Sequence, residues 1–329
     1  MTYIRCLITG LIVFFVACLC LPDKSYCSNK TIKILLLSSP DDFNFIQHGE
    51  KLGQVNGQFM LNGTLYKGTF TIKQTEQGII AINELPFEEY IEGVVSSETG
   101  ECWHIEALKC QAVIARTYAL FHKNINKGKE YHLTSTVLHQ QYSRMSSNPL
   151  IQEAVEETKG EILTYNNAPI EAFYHSTCGG RTELPEEIWS KGYPYITSQV
   201  YNDDISPYFN WERRFMLEDV AASLMLKGIK NIEIHSLTST GRVKTLRVST
   251  LDGITIILAK ELRRRIGYKE LPSTNFTLTV KDGEVIFNGS GYGHGVGLCQ
   301  YGALQMALEG KKYTEILKFF YPQTKLLKR

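Results

Sequence analysis

The sequence carries almost no net charge. Its 35 basic and 34 acidic side chains cancel to +1 without long like-charge runs, which removes the electrostatic case for a dedicated nucleic-acid binder. Metal and nucleotide signatures are missing too. The eight histidines form neither H-x-x-x-H nor H-E-x-x-H, and the cysteines match no zinc ribbon or C-x-x-C redox motif. A glycine-rich segment near the C-terminus contains G-x-G-x-x-G spellings but lacks the Lys-Ser/Thr of a phosphate loop. Internal repeats, low-complexity tracts and long linkers are absent as well, so 329 residues are expected to fold around a substantial core.

Long apolar runs occur only at the start. Arg5 is followed by an apolar stretch from Cys6 to Leu21 and then by PDKSYCSNK, so residues 1–27 read as an export signal, either a cleaved signal peptide or a signal anchor. The stretch is short for a membrane span of about 20 residues. Phe15-Val16-Ala17-Cys18 also loosely fits a lipoprotein cleavage pattern. Three of the eight cysteines fall here, leaving Cys27, Cys102, Cys110, Cys178 and Cys299, an odd set that cannot pair completely within one chain. Cys102 and Cys110 read as small buried thiols.

Residues 28–82 form a β-rich segment, with alternation broken by Gly and Asn as in GQFMLNGTLYKGTFTIKQTEQGIIAIN. At Pro86 the rhythm changes. PFEEYIEGVVSSE places apolar residues at 87, 90, 91, 94 and 95, an amphipathic helix with Pro near its first turn and a glycine stop near Thr99-Gly100. HIEALKCQAVIARTYALFHK continues with Ile105, Leu108, Ala112, Ala115 and Ala119 on one stripe, whose small residues predict close approach to another element. Helices and antiparallel strands then alternate, with a β-rich insertion at about 215–288 inside a core of 83–329, so the fold class is α+β, helices packed on antiparallel sheet.

Three places carry chemistry. Glu98 falls at a predicted helix C-terminus, where unpaired carbonyls disfavour a carboxylate, and burial would add to that. Both effects raise a pKa, as a general acid near neutral pH requires; the structural reading is a solvated helix-end residue. In YHSTCGGRTE, His175 and Ser176 suggest a nucleophile pair, but neighbours on a strand point to opposite faces, so substrate hydrogen bonding or a polar strand end with a tight turn fits better. GSGYGHGVGLCQYG presents Tyr292, His294 and Gln300 from a loop whose backbone passes close to something else, groups suited to a sugar.

ELPFEEYIEGVVSSET, EALKCQAVIARTYAL, AFYHSTCGGRTE, ELRRRIGYKELPSTNF and GSGYGHGVGLCQYGALQMALEGKKYTEILKFFYP, in this order, resemble the SpoIID/LytB family, the stage II sporulation protein D group of cell-wall proteins, over roughly residues 83–322. The resemblance implies a lytic transglycosylase that cuts the MurNAc to GlcNAc bond of peptidoglycan and leaves 1,6-anhydro ends. It places the catalytic acid on Glu98. It gives Arg116 of A-R-T-Y a part in orienting glycan and matches Tyr195 to a site tyrosine, with Thr197 where the family has lysine. The expected groove, closed by the Gly-rich loop, is lined by Glu98, Arg116, His175, Ser176, Tyr195, Tyr292, His294 and Gln300.

Some members carry a zinc site after the A-R-T-Y helix. Here YHLTSTVLHQQY keeps His132 and His139 but has Ser135 and Gln140 in place of cysteines, so no metal or other cofactor is expected. Cys178 and Cys299 stand where relatives often have serine, and a disulfide between them would clamp the groove if their loops meet. The implied partners are peptidoglycan glycan strands and an N-acetylmuramoyl-L-alanine amidase, with the protein in the periplasm, the cell wall or at the outer face of the cytoplasmic membrane. Sporulation, division and wall remodelling are all compatible. The competing class is a non-catalytic amidase enhancer of the LytB branch, and a third reading is an acyl hydrolase using Ser176.

Overall fold

A computed structural model of the chain describes residues 31–37, 45–46, 53–61, 64–75, 78–100, 102–135, 139–142 and 147–329. The expected export segment, with Cys18 and Cys27, lies outside them. The chain opens with strands β1 (Thr31–Leu37), β2 (Phe45–Ile46), β3 (Gly53–Leu61), β4 (Thr64–Thr75) and β5 (Gly78–Pro86). Helices α1 (Phe87–Glu98) and α2 (Ile105–Ile125) follow, then β6 (Leu133–Thr134). The six strands form one sheet in the order β2-β3-β4-β5-β1-β6, antiparallel except for the β1–β6 pair.

Next come α3 (Pro149–Glu157), β7 (Glu161–Tyr165), β8 (Ala168–Pro169), β9 (Tyr174–His175) and α4 (Pro185–Trp189). A block of β10 (Trp211–Met216), α5 (Leu217–Leu224), β11 (Asn231–Leu237), β12 (Val243–Thr250), β13 (Gly253–Leu258), α6 (Ala259–Ile266), β14 (Phe276–Lys281) and β15 (Glu284–Gly289) precedes β16 (Leu298–Cys299), α7 (Gln300–Leu308), α8 (Tyr313–Phe320) and β17 (Lys325–Lys328). The block has its own core, including Trp211, Leu246, Val248, Leu262 and Phe287, under two three-stranded antiparallel sheets. The architecture is α+β.

α1 begins after Pro86, carries Glu88 and Glu89 in its first turn where the helix dipole favours them, and buries Phe87, Tyr90, Ile91, Val94 and Val95. Its stop differs from the expected glycine cap. Thr99 is extended, and Gly100 is required by packing, since a Cβ there would lie 2.5 Å from Trp103 Nε1. On α2, Ala112, Ala115 and Ala119 are fully buried, as their small size predicts.

Arg116 departs from the sequence reading. It is fully buried, so it is withdrawn from any glycan. Its Nε and Nη2 fork onto the Glu88 carboxylate at 3.0 and 2.8 Å, while Nη1 donates to Glu161 O at 3.1 Å and Nη2 to Val155 O at 3.3 Å. One planar guanidinium thus joins α1, α2, α3 and β7, a task for which lysine has too few fixed donors. Arg116→Ala would strand these carbonyls and the Glu88 charge. It should lower unfolding free energy by about 3 kcal/mol or more in chemical denaturation, with Arg116→Lys recovering only part.

Candidate active site

Glu98 is the last residue of α1 and retains an opening to solvent. Its carboxylate Oε1 accepts the Gln141 N–H at 2.7 Å and the Tyr174 hydroxyl at 3.0 Å. Its backbone carbonyl accepts Gln300 Nε2 at 3.3 Å, and the same amide donates to Gln111 Oε1 at 3.2 Å. The carboxyl pKa is raised, mainly by burial of the group, while the hydrogen bonds from Gln141, Tyr174 and Gln300 pull it down.

The expected helix-end effect is subordinate. Ser97 and Thr99 hydroxyls donate to Gly93 O and Val95 O, both at 2.7 Å, and Gln300 serves the carbonyl of Glu98 itself, so the negative end of α1 is largely satisfied.

The Gln141 amide is aimed by its neighbour. Gln140 is buried between α1 and α2, accepting the Tyr90 hydroxyl at 3.1 Å and donating to Ala115 O at 3.4 Å. A brace therefore stands where some relatives place a zinc-binding cysteine. His132 Nδ1 accepts the Lys33 N–H at 3.0 Å and His139 Nδ1 bonds Thr134 Oγ1 at 2.9 Å.

On β9, Tyr174 and His175 point to opposite faces, and the parallel pairing with β16 sets Cys299 beside His175. His175 Nδ1–H donates to Val296 O at 3.1 Å, and its buried Nε2 has no partner. Ser176 Oγ bonds Thr177 Oγ1 at 3.2 Å, so the adjacent His and Ser form no nucleophile pair. His294 Nδ1 accepts the Val296 N–H at 3.0 Å, which puts its proton on Nε2, toward the Tyr174 carbonyl. Burial, with Arg263 and Arg242 behind it, drops His294 to about 3. Burial, His294 and Arg242 likewise push His175 well below its usual range. Both rings are neutral near pH 7.

The Gly-rich loop is shaped by Arg242, a residue the motifs did not single out. Its guanidinium is buried and donates to Cys178 O at 2.6 Å and Arg181 O at 3.2 Å. Gly295 lies on it at φ +85°, where a Cβ would fall 2.8 Å from Arg242 Cζ.

Cys178 and Cys299 do meet, as free buried thiols. Cys299 Sγ accepts N–H bonds from Cys178 at 3.2 Å and Gly302 at 3.3 Å, capping α7, and donates to Asp203 Oδ2 at 3.1 Å. Asp203 also takes the N–H groups of Cys178, Gly179 and Gly180, which fixes the Gly-Gly turn. Cys110 is buried as expected, but Cys102 is exposed.

The fold thus gathers His175, Ser176, Tyr292, His294 and Gln300 where β9 meets the Gly loop and α7. Tyr292 pairs its backbone with Thr177 and lays its ring 4.6 Å from that of Tyr208. Tyr195 sits behind this wall, buried, its hydroxyl accepting the Glu171 N–H at 3.2 Å. Tyr174 and Gln141, the direct partners of the Glu98 carboxyl, escaped the sequence reading. Tyr174 had a signal in its place beside His175; Gln141 had none.

A family model described as stage II sporulation protein matches residues 75–165, and one described as a domain of unknown function (DUF8618) matches residues 194–297. The stage II sporulation protein D of Bacillus subtilis (strain 168) is 32% identical over 263 residues, 75% of this chain and 76% of that protein. The chain belongs to the SpoIID/LytB family. An uncharacterized protein of Brachyspira hyodysenteriae is 34% identical over 271 residues, 80% of this chain and 72% of its own length. The amidase enhancer of B. subtilis is 32% identical over 289 residues, which span 72% of this chain and 40% of the enhancer.

The neutral histidines of this SpoIID/LytB chain give stability a pH dependence. Their folded pKa values lie below the ordinary 6.5, so the stabilisation is complete above that value and is lost as pH falls toward the folded ones. Denaturant midpoints measured from pH 8 to 4 should fall below about pH 6.5, less steeply in His294→Gln.

Proposed function

We propose that this member of the family is a peptidoglycan lytic transglycosylase exported to the periplasm, the cell wall or the outer face of the cytoplasmic membrane, with Glu98 as acid and then base. The observation that carries the reading is geometric: half-buried Glu98 ends α1 with its carboxyl group held by the Tyr174 hydroxyl and the Gln141 N–H, in surroundings whose burial raises its pKa. Protonated Glu98 donates to the glycosidic oxygen as the C1–O bond breaks. The resulting carboxylate takes the proton from the sugar's own 6-hydroxyl as O6 bonds to C1, closing the anhydro ring with no water consumed.

One carboxyl group suffices for that sequence, whereas hydrolysis by the usual routes wants a second, about 5 to 9.5 Å away. Asp203 is buried and spent on the Gly-Gly turn, and its neighbour Asp204 is exposed. The second reading is a non-catalytic peptidoglycan binder that stimulates an N-acetylmuramoyl-L-alanine amidase, favoured by likeness to the amidase enhancer.

Glycan strands incubated with the pure protein should yield anhydro-muramyl ends by mass spectrometry, and Glu98→Gln should lower the rate by at least about a hundredfold. Reducing ends would mean hydrolysis, and no product would favour the enhancer. The rate requires protonated Glu98, so activity should fall as pH rises through its pKa. Tyr174→Phe removes a hydrogen bond that favours the charged form, and should move this alkaline limb to higher pH while lowering the maximal rate.

A further inference from the structure

Trp189, the last residue of α4, is 39% exposed. Trp211, by contrast, is buried and donates its indole N–H to Gly291 O at 2.9 Å. The Trp189 ring stacks on Phe173 with centroids 4.4 Å apart and planes 29° apart, and meets the edge of His294 at 5.2 Å. Tyr193 closes on Phe173 from the side at 5.3 Å. Phe173 immediately precedes Tyr174, whose hydroxyl holds the Glu98 carboxyl. The outward-facing indole is thus built into the same strand end that positions the acid.

Its mount is rigid. Ser190 ends α4 in the left-handed conformation. Glu187 accepts Lys244 Nζ at 2.7 Å and the Ser239 N–H at 3.1 Å, and Lys260 Nζ donates to Ile188 O at 2.6 Å. Three contacts from the surface of the second block therefore hold a five-residue helix whose indole is left part-exposed. A flat apolar ring with polar groups around it, held in advance, suits the apolar face of a pyranose, because no side-chain freedom is lost on binding.

We propose that Trp189 is a stacking platform for an N-acetylhexosamine unit of the glycan strand, at a subsite next to the one whose bond Glu98 attacks. This rests on the glycan-cleaving reading above. The platform contributes binding to ground state and transition state alike, so its loss acts on KM and leaves kcat nearly unchanged.

The test uses an N-acetylglucosamine tetramer as probe and the full exported chain. In Glu98→Gln, titration should perturb tryptophan fluorescence and give a Kd by calorimetry. Adding Trp189→Ala should remove most of the fluorescence change and weaken binding about tenfold, while Trp189→Phe should stay within about threefold. On glycan strands, Trp189→Ala alone should raise KM about tenfold at similar kcat, with thermal unfolding confirming an intact fold. Unchanged Kd and KM in Trp189→Ala, or a drop in kcat with KM unchanged, would overturn the platform. Full turnover by Glu98→Gln would instead overturn the role of the acid and leave the binding comparison readable.

Discussion

The site depends on one buried cation. Arg242 comes from the start of the second core's central strand and ends beneath the Gly loop, where it donates to two carbonyls of the Gly-Gly turn region. Removing a guanidinium from water is expensive unless its charge is answered, and Glu183 and Asp203 supply the opposing potential. Glu183 is itself tied to the second core by Thr238 at 2.8 Å and to the loop by Gly295 O. A side chain at position 295 would evict the guanidinium, and with it the geometry of His175 and His294.

The same cation sets the character of the histidine wall. Two imidazoles beside a buried positive charge cannot readily become positive, so they present fixed, neutral hydrogen-bonding groups. On the other face of β9, the carboxyl group of Glu98 is pushed toward its neutral form by burial. A short strand thereby separates two environments, one of neutral imidazoles held beside a buried cation and one in which burial favours the neutral form of a carboxyl group.

What could be read in the sequence was local. The apolar rhythm from Phe87 to Val95 fixed α1 and placed Glu98 at its end, and the small residues of α2 announced a tight contact. The partners of Glu98 were hidden because they are 43, 76 and 202 residues away. Arg116 was misread for the opposite reason. Its A-R-T-Y motif is conspicuous, but whether an arginine faces a ligand or a carboxylate on the next helix depends on packing that no spacing encodes. Cys102, eight residues before the buried Cys110, lies just outside α2 and so escapes its core.

Those sequence distances have a consequence for the order of events in the life of the chain. Until the fold has closed over it, Glu98 is a solvated carboxyl group like any other; burial raises its proton affinity, while the hydrogen bonds from Gln141 and Tyr174 hold the group in place and draw that affinity back down. Its proton affinity belongs to the finished fold. A chain partly unfolded at its C-terminal helices loses Gln300 from beside Glu98, so the environment that shifts this carboxyl group is complete only once those helices have docked.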